Sequence, residues 1–502
     1  MSSKAKKILN GSALRVVDFF VTAFVALALT PFIIRSLGDN MYGLWIFVGS
    51  FLGYYGLMDF GLNSAIQRFL SRAIGSSNKD EESRIINTAL AVFSIIGFAA
   101  LLLSIALSLL LPMWIKNISD VVLFKKIIFI LGLNFALGFP LRVFSGILAA
   151  NIRYDISTGL ELVKLALRTL LIIVLLKAGY GLIALAIIAL ITDIGGYLAK
   201  YFVVRSLYKD IVYSIKLIDR SMIRPLFGYS IYTFISQIAE QLKFNFDNLV
   251  IISFIGLNSV TVYSIAFRLV RYFSQFIGAS IGVFVPVFSQ YEARGDKASI
   301  REKFILSTKI SGYMSVFIGC VLIIFGKSFI NRWVGVEYVS AYPILVILTI
   351  SFTISLMQDP SVQLFYGLSQ HKYLAIISTI EGASNLLLSI ILIKKIGLIG
   401  VALGTAIPMT IVFILVYPRY ACRLIDLNIW KYYFHILFPT LIKGSLVAVV
   451  LWWFLRGHIY PNYMNLTVQI ICFGILFSVS CFWAGFESME KMYFKKIILK
   501  YI

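Results

Sequence analysis

The sequence has 502 residues, of which 60% are hydrophobic and only 14% are charged. Soluble domains contain about 45–50% apolar and about 25% charged residues, so a chain of several soluble domains is excluded. The formal net charge of +22 would suggest nucleic acid in a soluble protein. In a membrane protein, basic residues instead collect in cytoplasmic loops, and no nucleic-acid partner is predicted.

The hydropathy pattern predicts an all-α polytopic membrane protein. A membrane-spanning helix needs about 20 mostly apolar residues, and about fourteen such segments follow one another with short connections. They lie at approximately 14–35, 41–68, 86–114, 122–147, 157–177, 180–203, 226–253, 259–288, 304–326, 340–366, 373–393, 397–418, 434–455 and 465–486. The connections are too short for a separate domain, so we expect the function to lie among the helices.

The distribution of Lys and Arg predicts the orientation. With the N terminus inside, 25 of the 45 basic residues fall in inner loops, ten in outer loops and ten within spans. This excess favours a cytoplasmic position for both termini, as an even number of spans requires. The predicted location is the cytoplasmic (inner) membrane.

A weak internal repeat predicts two similar lobes. At an offset of 218 residues, Gly38 and Lys79 fall on Gly256 and Lys297, and in both places a long span opens with a Gly/Asn turn and ends in a basic loop. The offset corresponds to six spans, an even number, so the halves would have the same orientation. The predicted domains are a six-helix lobe at 1–220, a second at 221–425 and an extra helix pair at 426–502.

Ionisable side chains inside spans are costly, so they usually face a bundle interior or a water-filled cavity. Several recur at helical spacing and therefore share a helix face. They are Arg15 and Asp18 in the first span, Asp59 in the second, Glu161, Lys164 and Arg168 in the fifth, Glu240, Lys243 and Asp247 in the seventh, and Arg268 and Arg271 in the eighth.

Some of these residues have a structural interpretation as well as a functional one. Arg15 and Asp18 could reach the interface from the end of their span. Glu161 and Lys164 could form an ion pair within one helix, and Asp59 could cap or brace a helix. Arg268 and Arg271 have no acid one turn away, which favours an anion from another helix or from a substrate.

Other chemistry is scarce in the sequence. The histidines and cysteines lack metal-ligand spacing, and neither a GxSxG motif nor a phosphate-binding GxxxxGK[ST] loop is present. No metal, no cofactor and no enzymatic activity are therefore predicted.

The segment 29–75 carries a recognisable set of motifs: Pro31, Leu37-Gly38, Tyr42-Gly43-Leu44-Trp45 and Asp59-Phe60-Gly61-Leu62. It resembles the start of the bacterial polysaccharide-biosynthesis flippases, which export lipid-linked oligosaccharides. These flippases belong to the superfamily that also holds the multidrug and toxic-compound extrusion transporters. The layout of two six-helix lobes around a central cavity plus a terminal pair is similar throughout the chain.

The resemblance implies transport of a polyprenyl-diphosphate-linked oligosaccharide from the cytoplasmic to the outer leaflet for surface polysaccharide synthesis, by alternating access coupled to an ion. Arg is suited to this substrate because its planar fork binds phosphate oxygens in pairs. The candidate substrate-binding residues are Arg15, Arg268, Arg271, Lys243 and Lys164. The candidate ion-coupling residues are Asp18, Asp59, Glu240 and Asp247.

The expected partners are the lipid-linked oligosaccharide, membrane lipids, H+ or Na+ as coupling ion, and a polysaccharide polymerase. Two alternatives remain open from the sequence. A drug or cation antiporter of the same superfamily would use the intramembrane acids. A membrane glycosyl polymerase would normally need a large outer loop.

Overall fold

The architecture was obtained from a computed structural model of the 502-residue chain. The structure describes all residues except 1–2, 77, 115–119, 228–233, 236, 239–240, 242–244, 456–462 and 486–502. Throughout this part of the chain the regular structure is helical. Together with the apolar length of the helices, this defines an all-α polytopic membrane protein, as the sequence predicted.

Seven α-helices form the first part of the chain. They are α1 (Ser3–Leu37), α2 (Asp39–Leu57), α3 (Leu62–Gly75), α4 (Lys79–Trp114), α5 (Val121–Ala150), α6 (Tyr154–Lys177) and α7 (Gly181–Leu207). After α7 the chain leaves the helical bundle through two short 3₁₀ turns at Ile215–Leu217 and Arg220–Met222.

Within the described residues, eleven further α-helices follow. They are α8 (Phe246–Phe254), α9 (Leu257–Ile281), α10 (Phe284–Ala293), α11 (Lys297–Trp333), α12 (Tyr342–Met357), α13 (Asp359–Gly367), α14 (His371–Ile411), α15 (Tyr417–Leu424), α16 (Ile429–Tyr432), α17 (Phe438–Leu455) and α18 (Tyr463–Gly485). A 3₁₀ helix (Val336–Ala341) precedes α12, and π-helical turns at Val412–Val416 and Tyr433–Leu437 follow α14 and α16.

The span predicted at 41–68 is broken into α2 and α3. The break lies at Met58–Gly61, where Phe60 and Gly61 have φ values of 49° and 72°. A left-handed conformation cannot continue a right-handed helix, and the backbone there turns between the two helices. The Asp59-Phe60-Gly61-Leu62 motif is therefore a helix break, which a hydropathy window does not detect.

The 218-residue repeat reappears in the helix boundaries. α2 starts at Asp39 and α3 ends at Gly75, whereas α9 starts at Leu257 and α10 ends at Ala293, so both boundaries recur at this offset. The positive-φ glycines recur in the same way. Gly38 (φ 75°) corresponds to Gly256 (φ 134°), and Gly179 (φ 84°) corresponds to Gly397 (φ 60°). The same sequence of helices and turns is thus used twice.

Ten helical segments are long and apolar enough to cross a membrane within the described residues. Eleven of the fourteen predicted spans overlap them, because the segment Lys372–Leu424 contains two predicted spans separated at Gly397. Two of the eleven are interrupted: 259–288 between α9 and α10, and 340–366 between α12 and α13. Of the other three, 41–68 is the broken α2–α3, 157–177 is the charged helix α6, and 226–253 includes residues outside the described part.

The chain divides into two compact units: unit 1 comprises residues 1–241 and 251–261, and unit 2 comprises residues 242–250 and 262–502. In unit 1, α5 packs against both α4 and α7. In unit 2, the terminal helices α17 and α18 pack against each other and against α11. This pair belongs to the contacts of unit 2, while the sequence assigned it to a region of its own.

Glycines allow close helix packing at two places along α14. A Cβ at Gly400 would lie 2.8 Å from the Ile393 nitrogen, and one at Gly404 would lie 2.6 Å from the Ser389 nitrogen. Small residues of this kind let helical segments approach closely. Gly397 has a different role, because it adopts a positive φ at the interruption of α14.

Candidate functional site

Unit 1 contains a network of charged side chains on α1, α6 and α7. We define this ionic network as Asp18, Glu161, Lys164, Arg168, Asp193 and Lys200. Glu161 accepts from the Lys200 ammonium at 2.6 Å and forms a 2.5 Å ion pair with Lys164. Asp193 lies 3.5 Å from the Lys164 ammonium and 3.7 Å from the Arg168 guanidinium.

Neutral partners fix the geometry of the ionic network. Lys200 donates to the Ser145 hydroxyl at 3.2 Å, and the Asn134 amide donates to Asp193 at 3.1 Å, so α5 supports both ends. Asp18 of α1 belongs to the same network, because its carboxyl group interacts electrostatically with Glu161 and Lys164. Lys200 is the buried member of the network, whereas Glu161, Lys164, Arg168 and Asp193 are partly exposed.

The sequence predicted only part of this network. The helical spacing of Glu161, Lys164 and Arg168 placed them correctly on one face of α6. The contributions of Asp193 and Lys200 from α7 were missed. These two residues are seven positions apart, which also places them on one helix face, so the same spacing rule could have found them. Three acids and three bases are present, and the network is formally neutral.

Asp59 lies at the break between α2 and α3. Its carboxylate accepts a hydrogen bond from the Asn63 backbone nitrogen at 3.3 Å, which is a capping contact at the start of α3. The Asp59 side chain is buried, and its carboxyl group interacts electrostatically with the Arg142 guanidinium. This geometry favours the bracing interpretation of Asp59.

Arg142 itself packs on aromatic rings. Its guanidinium carbon lies 4.7 Å from the centroid of Phe139 and 5.5 Å from that of Phe135, and its Nε donates to the Tyr197 hydroxyl at 3.2 Å. Cation–π contacts help hold a charge inside an apolar bundle. Sequence analysis missed Arg142, because it has no ionisable neighbour at helical spacing.

Unit 2 contains a buried polar group around Asp247, which we name the Asp247 cluster: Asp247, Tyr263, Asn385, Ser389 and Thr405. The Asp247 carboxylate accepts from the Tyr263 hydroxyl at 2.6 Å and from the Thr405 hydroxyl at 2.9 Å. Asn385 Oδ1 lies 3.4 Å from the Thr405 hydroxyl and accepts from Ser389 at 3.0 Å.

The Asp247 cluster joins residues that are far apart in the sequence. Asp247 is 2% exposed, and the two hydroxyl donors that hold it carry no charge. Glu381, which lies one helical turn before Asn385 on α14, is 1% exposed. Sequence reasoning identified Asp247 alone, because hydroxyl and amide side chains are common in membrane helices and gave no distinctive pattern.

Arg268 and Arg271 lie on one face of α9 in unit 2. Both side chains are half-buried, and the intervening Leu269 and Val270 are buried. Each of these two arginines already takes part in an interaction within the structure. Among the other candidates, Glu240 and Lys243 lie outside the described residues, as does the side chain of Arg15 on α1.

The fold and the charged side chains within its helices define a polytopic all-α membrane protein. The family model for polysaccharide biosynthesis proteins matches residues 41–343. The chain belongs to this polysaccharide biosynthesis family.

Two relatives and one solved structure are similar over most of the chain. A putative O-antigen transporter of Shigella flexneri is 24% identical over 417 residues, covering 80% of this chain and 94% of the relative. The uncharacterised membrane protein EpsK of Bacillus subtilis is 22% identical over 440 residues, covering 87% and 86%. The lipid II flippase MurJ in an inward closed conformation superposes with a TM-score of 0.73 at 18% identity, covering 96% and 100%. The family and the fold are those of transporters.

Proposed function

We propose that the chain is a flippase that moves a polyprenyl-diphosphate-linked oligosaccharide from the cytoplasmic to the outer leaflet. The observation that carries the proposal is the match to the polysaccharide biosynthesis family over 41–343 in a chain with the fold of a lipid II flippase. The named O-antigen transporter, which is similar over most of both chains, supports the same substrate class. The polymer would be assembled outside by a partner polymerase, and the chain itself is a transporter, not an enzyme.

We assign capture of the diphosphate to Arg268 and Arg271, with Arg15 as a third cation. The two arginines are three residues apart on α9, so both guanidinium groups lie on one face. A diphosphate leaves water with at least two negative charges, and charge-assisted contacts to arginine offset this desolvation. Lys243 is assigned the same role from its place in the sequence.

Lys164 is proposed as a substrate contact within the ionic network. Its side chain is 22% exposed, and the ion pairs with Glu161 and Asp193 compensate part of its positive charge. This arrangement suits weak and reversible binding, which a transporter needs, because a fully unpaired cation would hold a diphosphate too tightly. Asp18 would tune the same balance from α1.

We propose that the Asp247 cluster couples transport to H+ or Na+. Among the described residues, the hydrogen-bond donors to Asp247 are the neutral hydroxyl groups of Tyr263 and Thr405. A buried carboxylate held in this way gains stability when it binds a proton or a hard cation. The oxygen atoms of Asn385 and Thr405 would complete a hard-cation site, since such ions prefer oxygen ligands. Among the four candidates for ion coupling, Asp247 is therefore favoured, whereas the Asp59 carboxylate already accepts a hydrogen bond at the start of α3. Glu240 stays a candidate by sequence alone.

The orientation proposed with this function places both termini in the cytoplasm and the protein in the cytoplasmic membrane. The excess of Lys and Arg in the inner loops, 25 against ten, supports it. The drug or cation antiporter remains the second candidate, because the fully buried Asp247 would serve such a transporter equally well.

Reconstituted transport tests the proposal directly. The purified full-length protein is placed in proteoliposomes that carry a lipid-linked oligosaccharide with a labelled sugar in one leaflet. A membrane-impermeant glycosidase then measures how much sugar reaches the other leaflet. We expect headgroup translocation that depends on an H+ or Na+ gradient. Efflux of cationic drugs without any sugar translocation would replace the flippase with the antiporter.

A further inference from the structure

The segment that follows α7, residues 208–222, forms a strap along the first turns of α4. The Asn87 amide donates to the Val212 carbonyl at 2.7 Å, and its oxygen accepts from the Ser214 nitrogen at 2.9 Å. The Thr88 hydroxyl accepts from the Asp219 nitrogen at 2.9 Å. Backbone groups in a loop need partners, and here α4 side chains supply them, so the strap has a defined path.

The strap encloses a polar cavity at the end of α7. The cavity has a volume of about 310 Å³ and is lined by Arg205, Tyr208, Lys209, Ile211 and Tyr213. It is lined by two cations and by the side chains of Tyr208 and Tyr213, and the lining residues include no carboxylate. Asp155 is the acidic residue that interacts electrostatically with Tyr208. Its carboxylate accepts two hydrogen bonds of 3.1 Å from the Arg153 guanidinium, which compensates its charge. The cavity thus has the charge to bind an anion.

Tyr213 also lines a second, more apolar groove. It has a volume of about 380 Å³, and Leu90, Ala91, Ile215 and Ile218 form its apolar walls. Tyr213 lines both spaces, so the polar cavity and the groove are neighbours. Such a pairing fits a molecule with a charged head and a hydrocarbon tail.

The exposed surface beside these spaces is that of a membrane interface. Phe202, Val212 and Ile215 are 64%, 57% and 86% exposed although they are large and apolar. Basic side chains next to apolar ones are favoured where lipid headgroups meet hydrocarbon. A soluble partner would leave the hydrocarbon contacts of this surface unexplained.

We propose that the polar cavity and the groove together bind an anionic phospholipid. The phosphate would lie between Arg205 and Lys209, and one acyl chain would follow the groove between α4 and the strap. Anionic headgroups are attracted to basic clusters at the membrane surface. The strap belongs to unit 1, so this lipid would bind within that unit.

Lipid retention by the purified full-length protein tests the site. Delipidated protein in neutral detergent is titrated with phosphatidylglycerol or phosphatidylcholine, and bound lipid is counted by native mass spectrometry. In the Arg205→Gln, Lys209→Gln double variant we expect phosphatidylglycerol affinity to fall about tenfold or more, with phosphatidylcholine binding unchanged. Millimolar inorganic phosphate should not displace the lipid, because it lacks the acyl chain.

The matched control is the Lys125→Gln, Lys126→Gln double variant at the start of α5. It removes the same charge at the opposite end of α4, whose 36 residues separate the two places. An equal loss of phosphatidylglycerol in both double variants would overturn the site in favour of general charge attraction. Displacement by inorganic phosphate, or retention of polyprenyl phosphate but not phosphatidylglycerol, would overturn the phospholipid assignment.

A second variant covers the case in which the charge variant does not fold. Ala91→Leu narrows the groove with a side chain that a membrane helix accepts, and it leaves both cations in place. We expect weaker retention of long-chain phosphatidylglycerol at an unchanged melting temperature. Unchanged retention in Ala91→Leu would remove the groove from the proposal.

Discussion

The Lys200 ammonium on α7 and the Glu161 carboxylate on α6 meet at 2.6 Å, although 39 residues separate them in the chain. The lysine side chain is only 5% exposed, so its charge depends on this partner. The contact joins α6 and α7, and neither helix sequence predicts it by itself.

Replacing Lys200 by Met should therefore destabilise unit 1. Without Lys200, Glu161 keeps only Lys164 as a cationic partner among the described residues, and the ionic network carries a net negative charge. Because Glu161 is 36% exposed, solvent screening reduces the expected cost to about 2 kcal/mol. The double variant with Glu161→Gln should recover part of this loss. Thermal unfolding in detergent measures both. Lys297→Met, which breaks the exposed pair with Asp426, is the control and should change the melting temperature little.

Gly43 should not tolerate a side chain. A Cβ there would lie 2.9 Å from the Leu257 carbonyl carbon and 3.1 Å from the Thr261 hydroxyl, at the place where the Thr261 hydroxyl donates to the Asp39 carbonyl at 2.8 Å. We expect Gly43→Ala to cost about 1–3 kcal/mol through overpacking. Gly49→Ala on the same helix meets no atom within 4 Å and should be neutral or slightly stabilising. Equal melting temperatures for the two variants would contradict this packing.

Asp247→Asn should abolish ion dependence while the protein still folds. The amide keeps the shape of the side chain and the hydrogen bonds to Tyr263 and Thr405, but it cannot take up a proton or balance a cation. Translocation in proteoliposomes is measured with Na+ varied at fixed pH and with pH varied at fixed Na+. Asp359→Asn is the matched control, because its carboxylate also has a neutral partner, Gln363 at 3.0 Å. If Asp247→Asn responded to both gradients like the wild type, coupling would lie elsewhere.

Arg271→Ala should abolish polymer export while membrane insertion stays normal. A charge-assisted contact contributes about 1.5–3 kcal/mol, so losing one weakens diphosphate capture roughly ten- to a hundredfold. Arg271→Lys should recover only part, because the charge returns without the planar fork. Exported polymer is measured per inserted molecule. The exposed Arg294→Ala serves as control, and normal export by an Arg268→Ala, Arg271→Ala variant would remove both residues from the mechanism.

Reporter fusions test the proposed orientation. We expect cytoplasmic readings at Lys209 and Lys297 and external readings at Asn117 and Asn331. These loops carry the difference in basic residues on which the orientation depends. A cytoplasmic reading at Asn331 would contradict the fourteen-span topology.

The sequence by itself determined the class of protein, the positions of most membrane helices and the 218-residue repeat. These properties follow from local hydropathy and helix-breaking residues such as Gly38 and Gly256, which act on their immediate neighbours. The helical spacing of Glu161 and Lys164 likewise revealed one face of α6, because a helix has a fixed period.

Only the tertiary structure decided which polar groups meet. Asp247 and Thr405 are 158 residues apart in the sequence. Threonine is uncharged and common in membrane helices, so no sequence pattern predicts this contact. Asp193 and Lys200 joined the ionic network for the same reason: the packing of α7 against α6 brings the two helix faces together. The break at Phe60 and Gly61 also escaped the hydropathy window, because a window average measures the apolar content of a segment and not the backbone dihedrals of two residues within it.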